Sequence, residues 1–337
     1  MTESQPLQRV GVYGASGYAG QDVVRILAQH PHVEIAFATS DNYAGEPVPA
    51  TDLQYIPHDD ASLSAVDVVF LALPHGASAR RAATASAHGV KVIDLSADLR
   101  LDSAESYQRW YSATHPHPAL LATPYGLVEV NRALLHGVDM VAVPGCYPTA
   151  TLLGLYPLLR AGVILPDAPI IVDAKSGVTG AGRAPKPHLH FPEVYGNLTP
   201  YAAGRAHRHV GEIEQEIGKL DADAGALIFT PHLVAVDRGL MTSIYVHLKP
   251  DFPADDAPTL YRRAYDAEPF IDVLPDGAQA SFKHVVHTNH CAISLTPVNG
   301  RYLHITSVID NLVKGAAGQA VQNFNLMCGF AETAGLC

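Results

Sequence analysis

The amino-acid sequence predicts two domains of different construction: a doubly wound, Rossmann-type α/β domain, then an α+β domain with a mostly antiparallel sheet. Short apolar runs alternate with helical segments as far as residue 144, which is typical of parallel strands covered on both faces. Longer strand-like runs follow, which favours an antiparallel sheet. The length of 337 residues suits two domains with ample cores.

The first domain is predicted from five buried strands, each a run of apolar residues, with helices between them. The predicted strands cover residues 9–14, 33–40, 67–74, 90–96 and 139–144. The predicted helices cover residues 20–30 and 77–89. Alternation of this kind indicates a doubly wound sheet.

The second domain is predicted to begin with a helix near residues 148–160. Strand-like runs then begin at residue 169 and cover residues 225–236, 241–250, 291–298 and 301–309. Residues 310–329 are predicted to form an amphipathic helix that returns to the first domain. We therefore expect one domain from residues 1–147 and 312–337, and a second from residues 148–311.

Composition excludes several classes of protein. The net charge of 22 − 33 = −11 argues against a general binder of nucleic acids or anionic membranes. No apolar run reaches the roughly 18 residues of a membrane span, and the first residues lack the features of a signal peptide. Four widely spaced cysteines, Cys146, Cys291, Cys328 and Cys337, suit free thiols in a reducing cytoplasm.

A glycine-rich turn follows the first predicted strand. In "GVYGASGYAGQDVVRIL", Gly14, Gly17 and Gly20 lie between that strand and its helix. Glycines allow a sharp turn and a close approach to a pyrophosphate, and the helix N-terminus offers N–H donors. An ordinary tight turn is the alternative, but the strand–loop–helix context favours dinucleotide binding.

The end of the second strand bears on the choice between NAD and NADP. A residue that hydrogen-bonds the adenosine ribose is expected about 20 residues after the loop, where the sequence is "ATSDNYAGE". Thr39 and Ser40 carry hydroxyls that suit a 2′-phosphate, whereas Asp41 does not. No arginine follows immediately, so the residues alone leave both cofactors open.

Cys146 lies in "VAVPGCYPTATLLGLYPLL", between a strand and a helix. Pro148 suits the first turn of a helix, so Cys146 is expected at or just before a helix N-terminus. The helix dipole stabilises a thiolate there, and a thiolate is the attacking species in acyl transfer. A lone cysteine is more often a small apolar filler, but Gly145 and the upstream nucleotide loop favour a nucleophile. Cys291, Cys328 and Cys337 are expected to be structural.

Acid–base candidates cluster in "GRAHRHVGEIEQEI". His207 and His209 are candidate general acid–base groups, with Glu212 orienting one of them. Arg205 or Arg208 could hold a carboxylate or phosphate. The alternative is a merely polar helix start.

Histidine pairs of the form HxH also bind metals, and they occur at residues 207–209, 115–117 and 188–190. No neighbouring cysteine or acid has a spacing that completes a site, so we expect no metal. The loop "AKSGVTGAGR" at residues 174–183 offers backbone donors and Arg183 to an anionic substrate group. A flexible surface loop explains its composition equally well.

Eight motifs in order give the chain a resemblance that covers nearly its whole length. It resembles the N-acetyl-γ-glutamyl-phosphate reductase family of arginine biosynthesis, which is related to aspartate-semialdehyde dehydrogenase. The motifs are "GASGYAG" (14–20), "LPHG" (73–76), "VIDLSADLRL" (92–101), "YGLVEVNR" (125–132), "PGCYPTA" (144–150), "KSGVTGAGR" (175–183), "HRHVGEI" (207–213) and "VIDNLVKGAAGQAVQNFNLMCG" (308–329).

The resemblance implies that Cys146 is the nucleophile and that the acid–base group is His207 first, or His209, beside Glu212. It implies NADP(H) as cofactor and a homodimer or homotetramer. The implied substrate-binding residues are Arg100, Ser176, Arg183 and Arg208. The implied cofactor-binding residues are Gly14, Ala15, Ser16, Gly17, Tyr18, Gly20, Ser40, Pro74, Gly180 and Asn311.

The expected reaction is NADPH-dependent reduction of N-acetyl-γ-glutamyl phosphate to N-acetylglutamate 5-semialdehyde and phosphate through a thioester on Cys146. Alternatives are another acyl phosphate, either aspartyl or carrier-bound aminoadipyl or glutamyl, and, more remotely, a non-catalytic dinucleotide-sensing regulator. The chain departs from the family at Asp41 and Asn42, where basic residues are common, and at His287, where glycine is usual.

Overall fold

The computed structural model describes residues 7–336 and divides the chain into two compact units. The described part of the first unit runs to Pro144 and resumes at Ala316, and the second unit is Gly145–Gly315. The chain therefore leaves the first unit slightly before the predicted boundary, so Cys146 belongs to the second. Cys337 lies outside the described residues.

Most strands follow the predicted runs closely, but two short strands of the second unit were not predicted. In the first unit they are β1 Gln8–Tyr13, β2 Val33–Ala38, β3 Val68–Leu71, β4 Lys91–Asp94 and β5 Met140–Ala142. In the second they are β6 Ile170–Gly177, β7 Leu198–Pro200, β8 Leu227–Val234, β9 Leu240–His247, β10 Ile271–Val273, β11 Cys291–Val298 and β12 Tyr302–Ile309.

The helices include several that the apolar pattern did not predict. The helices of the first unit are α1 Tyr18–Leu27, α2 Ser78–Ala87, α3 Ala104–Tyr111, α4 Val128–Leu135 and α9 Gly318–Cys328. Those of the second unit are α5 Cys146–Ala161, α6 Phe191–Val194, α7 His209–Leu220 and α8 Ala257–Tyr265. No helix in residues 7–336 combines the length and apolar character needed to cross a membrane.

The first unit is built on a parallel sheet in the order β2-β1-β3-β4-β5. All four residues of β3 are buried, as a strand covered on both faces should be. The strand order reverses direction at β1, and such a switch point is where doubly wound sheets bind ligands. The predicted Rossmann-type fold is confirmed, and the loop that follows β1 lies at this point.

The second unit is built on a mixed sheet in the order β10-β11-β12-β9-β6-β8-β7. Only β10–β11 and β6–β8 pair in parallel, so the prediction of a mostly antiparallel sheet is confirmed. Alternate residues of β6 and β8 are buried because one face of the sheet is covered. Helix α5 packs against β9 and β12, and helices α7 and α8 pack against α5.

Helix α9 corrects the prediction of an amphipathic C-terminal helix. Its residues from Gly318 to Met327 are all buried, and it packs against α1, α4 and β4. The polar side chains that suggested a solvated face are amides that hydrogen-bond internally: Gln319 and Asn323 both donate to the carbonyl of Gly126, at 2.8 Å each. These hydrogen bonds from the amide N–H groups offset part of the cost of burying the two side chains.

Candidate active site

Cys146 is the first residue of α5 and is half-buried. Gly145 caps the helix in an extended conformation, with φ −69° and ψ 158°. All residues from Tyr147 to Leu159 are buried, so the helix axis is fixed by packing along its length. The Cys146 thiol is therefore held at the positive end of a buried helix dipole, where a thiolate is stabilised.

Glu212 fixes the turn that precedes the cysteine. Its side chain is 1% exposed, and its Oε1 accepts a hydrogen bond of 2.8 Å from the backbone N–H of Gly145. This hydrogen bond joins the carboxylate on α7 to the residue before Cys146, so Glu212 helps to position Cys146 through the backbone. That Glu212 also orients a histidine stays a prediction.

Gly315 lies against Cys146 from a different segment of the second unit. A methyl group on Gly315 would lie 2.7 Å from the Cβ of Cys146, a separation that real side chains do not tolerate. Gly315 belongs to a π-helical turn, Val313–Ala317, and its N–H donates to the carbonyl of Asp310 at 2.9 Å. The turn can approach the cysteine this closely only because residue 315 is glycine.

The two candidate histidines belong to a ring cluster that also contains Tyr147, the neighbour of Cys146. The ring centroids of His207 and His209 lie 4.8 Å apart, and they lie 5.4 Å and 6.1 Å from that of Tyr147. Phe229 and Tyr201 pack on His207 at 5.5 Å and 5.6 Å. The structure thus brings the predicted histidines to the residue next to the predicted nucleophile.

His207 is held as a neutral ring. Its Nδ1 accepts a hydrogen bond of 3.1 Å from the backbone N–H of His209, so the neutral ring carries its proton on Nε2. Burial, with a smaller contribution from the charge of Arg208, lowers the pKa of His207 to about 4. At neutral pH this histidine is a hydrogen-bond donor rather than a cation.

Two tyrosines carry hydroxyls into the same cluster. The hydroxyl of Tyr201 donates to that of Tyr147 at 3.1 Å. Burial raises the pKa of Tyr201 to about 12, and burial also raises the pKa of Tyr147, which is 2% exposed. Both phenols stay protonated, and a negative charge on Cys146 opposes their ionisation further.

The other predicted substrate-binding residues have varied surroundings. Ser176 is buried, and its hydroxyl bonds the carbonyl of Gly177 and also Tyr147. Arg183 and Arg208 are exposed. Arg100, in the first unit, is buried and donates to the carbonyls of Val143 and Leu95 at 2.8 Å each, which secures the ends of β4 and β5.

Two residues of the second unit were predicted to bind the cofactor, Gly180 and Asn311. The Asn311 side chain accepts from the N–H of Gly239 and donates to the hydroxyl of Thr179, both at 2.9 Å. Gly180 lies beside Ser176, since a methyl group there would meet the Ser176 hydroxyl at 3.0 Å. Asn311 therefore ties the loop after β6 to the turn before β9.

The glycine loop of the first unit fits a dinucleotide. A methyl group on Gly14 or Gly20 would meet backbone oxygens at 2.4 Å and 2.3 Å, so these glycines are required by the turn itself. Gly17 has φ −70°, and a methyl group there would make only an ordinary contact of 3.5 Å. The protein does not need glycine at this N-cap, whereas a phosphate approaching α1 does.

The remaining predicted cofactor residues of the first unit surround this loop. The backbone N–H of Ala15 donates to the carbonyl of Thr39 at 3.0 Å, and the hydroxyls of Ser16 and Ser40 lie 2.7 Å apart. Tyr18 is the half-buried first residue of α1, and Pro74 is exposed after β3. The loop is thereby fastened to the end of β2.

Four residues of the second-unit site were not predicted from the sequence: Tyr147, Tyr201, Phe229 and Gly315. Tyr147 is the next residue after Cys146, so the local sequence could have identified it. The others come from segments more than fifty residues away along the chain, and no local pattern marks them. Gly315 in "VKGAAG" resembles any small residue of a packed helix.

Two family descriptions match most of the chain. "Semialdehyde dehydrogenase, NAD binding domain" matches residues 9–138, and "Semialdehyde dehydrogenase, dimerisation domain" matches residues 146–311. The glycine loop lies within the first match, and Cys146 begins the second. The fold and the site together define a protein of the semialdehyde dehydrogenase class.

Similarity to curated proteins identifies one family within this class. The chain is 44% identical to the N-acetyl-gamma-glutamyl-phosphate reductase of Desulfotalea psychrophila over 340 residues, which cover 97% of each chain. It is 45% identical over 342 residues to the protein of the same name from Desulforudis audaxviator, with the same coverage. The chain belongs to the N-acetyl-γ-glutamyl-phosphate reductase family.

Solved structures agree on the fold. Aspartate semialdehyde dehydrogenase II from Vibrio cholerae superposes with a TM-score of 0.76 at 18% identity, covering 96% of this chain and 98% of that one. Aspartate semialdehyde dehydrogenase from Candida albicans, determined with NADP, superposes with a TM-score of 0.67 at 15% identity, covering 95% and 98%.

Proposed function

We propose that the protein reduces N-acetyl-γ-glutamyl phosphate to N-acetylglutamate 5-semialdehyde and phosphate, with NADPH as reductant. In this proposal the first unit binds NADP(H), and the second carries the catalytic cysteine. The observation that carries the proposal is Cys146 at the first position of a buried helix, with its preceding turn fixed by the buried Glu212 carboxylate. Membership of the family supplies the substrate.

The reaction divides into acyl transfer and reduction. The Cys146 thiolate attacks the carbonyl carbon of the acyl phosphate, the carbon–oxygen bond to phosphate breaks, and a thioester remains on Cys146. The Gly14–Gly20 loop would hold NADPH, and the chemistry that this cofactor would supply is the hydride that reduces the thioester. The resulting thiohemiacetal collapses, which releases the aldehyde and restores the thiolate.

His207 and His209 have different roles in this proposal. With a pKa lowered to about 4, His207 is rarely protonated at neutral pH, so it makes a poor general acid. We therefore assign the acid–base role to His209, the first residue of α7. His207 presents its Nε2–H as a neutral donor, which suits stabilisation of the developing oxyanion.

Exposed cations and a buried hydroxyl are available for the anionic ends of the substrate. Arg183 and Arg208 suit its carboxylate or phosphate because a guanidinium binds either group through two parallel hydrogen bonds. Ser176 lies beside the Tyr147 hydroxyl. Arg100 is assigned a positioning role, since it donates to the carbonyls of Val143 and Leu95.

The reverse reaction tests the proposal. Protein is mixed with N-acetylglutamate 5-semialdehyde, phosphate and NADP⁺, and reduced nicotinamide is followed by its absorbance. We expect phosphate-dependent reduction that falls about 10³-fold or more in Cys146→Ser, because an alcohol does not replace a thiolate nucleophile. Cys328→Ser is the matched control. Burial raises the pKa of the Cys328 thiol to about 11, so that thiol is inert.

The possible outcomes separate the chemistry from the substrate. Near-normal turnover by Cys146→Ser would overturn the thioester mechanism. Activity with aspartate semialdehyde or a carrier-bound semialdehyde, but not with the acetylated one, would keep the mechanism and change the substrate. NADPH binding without turnover of any semialdehyde would favour a dinucleotide-sensing regulator.

We also propose that two copies of the chain pair through the open face of the second-unit sheet. Ile228, Ile171 and Tyr245 lie opposite one another on β8, β6 and β9, and are 49%, 39% and 45% exposed. Tyr302 on β12 is half-exposed and stacks on His247. Exposed apolar side chains grouped on one face of a sheet are typical of a protein interface, and the matching dimerisation-domain description supports a second copy as the occupant.

Light scattering after size-exclusion chromatography tests this pairing. We expect a dimer or tetramer that dissociates in Ile171→Glu, because a desolvated carboxylate opposes association. Leu134→Glu, at an exposed apolar position of α4, is the control and should leave the assembly intact. An Ile171→Glu protein of unchanged mass would overturn the proposal.

A cytoplasmic location completes the proposal. Cys146, Cys291 and Cys328 are free thiols, which suits a reducing compartment. The nucleophile itself requires reduction, because only a thiolate attacks the substrate.

A further inference from the structure

Asp98 is a buried carboxylate to which the proposed mechanism assigns no role. It lies in the motif "VIDLSADLRL" after β4, and its side chain is fully buried. Its Oδ1 and Oδ2 accept hydrogen bonds of 2.7 Å and 2.9 Å from the backbone N–H of Gly76, and Oδ2 also accepts one of 2.9 Å from the N–H of Ala79. Asp98 thus binds the backbone of the segment that joins β3 to α2, in which the motif "LPHG" lies.

This carboxylate takes the place of the side chain that usually caps a helix. Ala77 occupies the N-cap position of α2 and makes no side-chain hydrogen bond there. Asp98 accepts from Ala79, the second residue of the helix, as a capping side chain would. A carboxylate also suits the positive end of the helix dipole. The start of α2 and the turn before it therefore depend on a residue from another segment of the first unit.

Other contacts hold Asp98 in place. The Tyr107 hydroxyl on α3 donates to Oδ1 at 2.8 Å, and the N–H of Asp98 donates to the Ser96 hydroxyl at 3.0 Å. The Nε2 of His115 lies 2.7 Å from the carbonyl oxygen of Asp98, and its Nδ1 accepts from the N–H of His117. The proton of the neutral His115 ring is therefore on Nε2, which donates to that carbonyl. Because its side chain and its backbone are both fixed, Asp98 can hold the turn rather than follow it.

The segment that Asp98 holds lies beside the nucleotide loop. Strand β3 is the neighbour of β1 in the sheet, and the two strands run in the same direction. The loops that follow them therefore leave the sheet at the same edge, where doubly wound sheets bind ligands. The two loops also meet: a methyl group on Gly14 would lie 2.4 Å from the carbonyl oxygen of Ala72.

The conformation of this segment depends on Gly76. The N–H of Ala77 donates to the carbonyl of Pro74 at 3.2 Å, which closes a four-residue turn. Gly76 is the third residue of the turn and has φ 84°, a conformation that favours glycine. Pro74, a predicted cofactor-binding residue, and His75 are both exposed in this turn. The hydrogen bonds from Gly76 to Asp98 thus fix where these two residues lie.

We propose that Asp98 is a positioning residue: its carboxylate holds the turn at residues 74–77 in the shape that binds the dinucleotide cofactor, without touching the cofactor itself. Asp98 is fully buried, so it acts on a ligand of the exposed turn only through the backbone of that turn. The inference rests on the dinucleotide cofactor of the proposed function. It makes the affinity for that cofactor depend on a side chain that no ligand reaches.

Substitution of Asp98 tests the inference through cofactor binding and through exchange of backbone amides. NADPH is titrated against each protein with nicotinamide fluorescence as readout, and hydrogen–deuterium exchange of residues 73–79 is followed without cofactor. We expect Asp98→Ala to weaken NADPH binding about tenfold and to speed exchange in this segment, because two N–H groups lose their acceptor. Asp98→Asn should restore most of both, since its amide oxygen can still accept from the two N–H groups.

A pair of glycine variants separates the turn from the stability of the fold. Gly76 and Gly89 lie before and after α2, have φ 84° and 72°, and have open space around an added methyl group. Alanine strains the backbone similarly at both positions, so the two variants should have similarly lowered melting temperatures. Only Gly76→Ala should weaken NADPH binding, by about three- to tenfold, because only its turn meets the nucleotide loop. Gly76→Ala keeps Asp98, so it decides the question if Asp98→Ala does not fold.

The reverse reaction gives a further readout that a merely structural role would not change. In Asp98→Ala the KM for NADP⁺ should rise about tenfold, whereas the KM for phosphate should stay within about twofold of wild type. A protein that is only less stable would lose kcat through its unfolded fraction and keep both KM values.

Three results would overturn the inference. Wild-type NADPH affinity in a folded Asp98→Ala protein would show that the turn needs no acceptor. Equal losses of affinity in Gly76→Ala and Gly89→Ala would reduce the effect to stability. Equal losses in Asp98→Asn and Asp98→Ala would replace the hydrogen bonds by the charge of Asp98 as the cause. Failure of the wild type to bind NADPH would instead contradict the proposed function.

Discussion

The two helices that begin the candidate sites, α1 and α5, start with the same backbone geometry. Gly17 caps α1 with φ −70° and ψ 160°, and Gly145 caps α5 with φ −69° and ψ 158°. Neither cap has a side-chain hydrogen bond. In the chain, each helix follows a parallel strand, α1 after β1 and α5 after β5. The N-terminus of each helix is the positive end of its dipole.

The two sites differ in what is placed at that positive end. The turn before α1 contains only small residues, Gly14, Ala15, Ser16 and Gly17, which leaves room for the phosphates of a ligand. The turn before α5 is filled by side chains: the Glu212 carboxylate accepts a hydrogen bond from Gly145, Cys146 follows it, and rings pack beside Tyr147. Under the proposed function, a helix N-terminus binds a ligand in the first unit, where it is open, and supports covalent chemistry in the second, where side chains occupy it.

The site in the second unit should make the free energy of unfolding depend on pH, because it contains the buried His207. Folding lowers the pKa of His207 from 6.5 to about 4, so the unfolded chain takes up the proton first. Its stabilising contribution is complete above pH 6.5 and is lost as the pH falls towards 4, by about 3 kcal/mol. Urea unfolding of the wild type and His207→Phe at pH 7 and pH 4 measures the difference. Parallel pH dependence in the two proteins would contradict a buried neutral His207.

Gly315→Ala should impair the filled site through steric contact alone. The new methyl group would lie 2.7 Å from the Cβ of Cys146, so one of the two segments must move. We expect kcat/KM to fall about 10²-fold, the size of effect that a displacement of about 1 Å produces. Gly218→Ala, with open space around it on α7, is the control. Unchanged kinetics in Gly315→Ala would show that the thiol tolerates displacement.

Gly17→Ala should impair the open site without disturbing the fold. The protein itself leaves room for this methyl group at 3.5 Å, whereas a pyrophosphate would meet it. We expect NADPH to bind about tenfold more weakly, with a melting temperature close to that of the wild type. Gly20→Ala should instead unfold the loop, since its methyl group would lie 2.3 Å from a carbonyl oxygen. Wild-type affinity in Gly17→Ala would move the phosphates away from this turn.

The smallest expected effect is a change in the free energy of unfolding at His287, a position that the sequence did not explain. Its φ of 69° lies in the left-handed region, close to the 72° of Gly14, and its N–H donates to Asp310 at 2.7 Å. Glycine adopts this conformation without strain, so His287→Gly should stabilise the fold by about 0.5–1 kcal/mol. Asn299→Gly, at φ 48°, should gain less because asparagine tolerates this region. A destabilised His287→Gly protein would show that the imidazole makes a compensating contact.

Much of this architecture was predictable from local pattern. The run "CAISLTPV" gave the bounds of β11 as the structure has them, because an apolar alternation ends there at turn residues. The order of strand, glycine and helix in the sequence predicted the N-termini of both α1 and α5. Helices α3, α4, α6 and α8 and strands β7 and β10 were not predicted. Helix α9 was predicted as amphipathic although its residues from Gly318 to Met327 are all buried.

The sequence by itself determined which residues have the chemistry: a cysteine before a helix-compatible proline, a glycine loop after a strand, and histidines beside an acid. These are local properties, set by backbone sterics and hydrogen bonding within a few residues. Only the tertiary structure decided what each residue touches. It joined Glu212 to Gly145 and placed Gly315 against Cys146. Such contacts join residues far apart in the chain, and packing alone selects them.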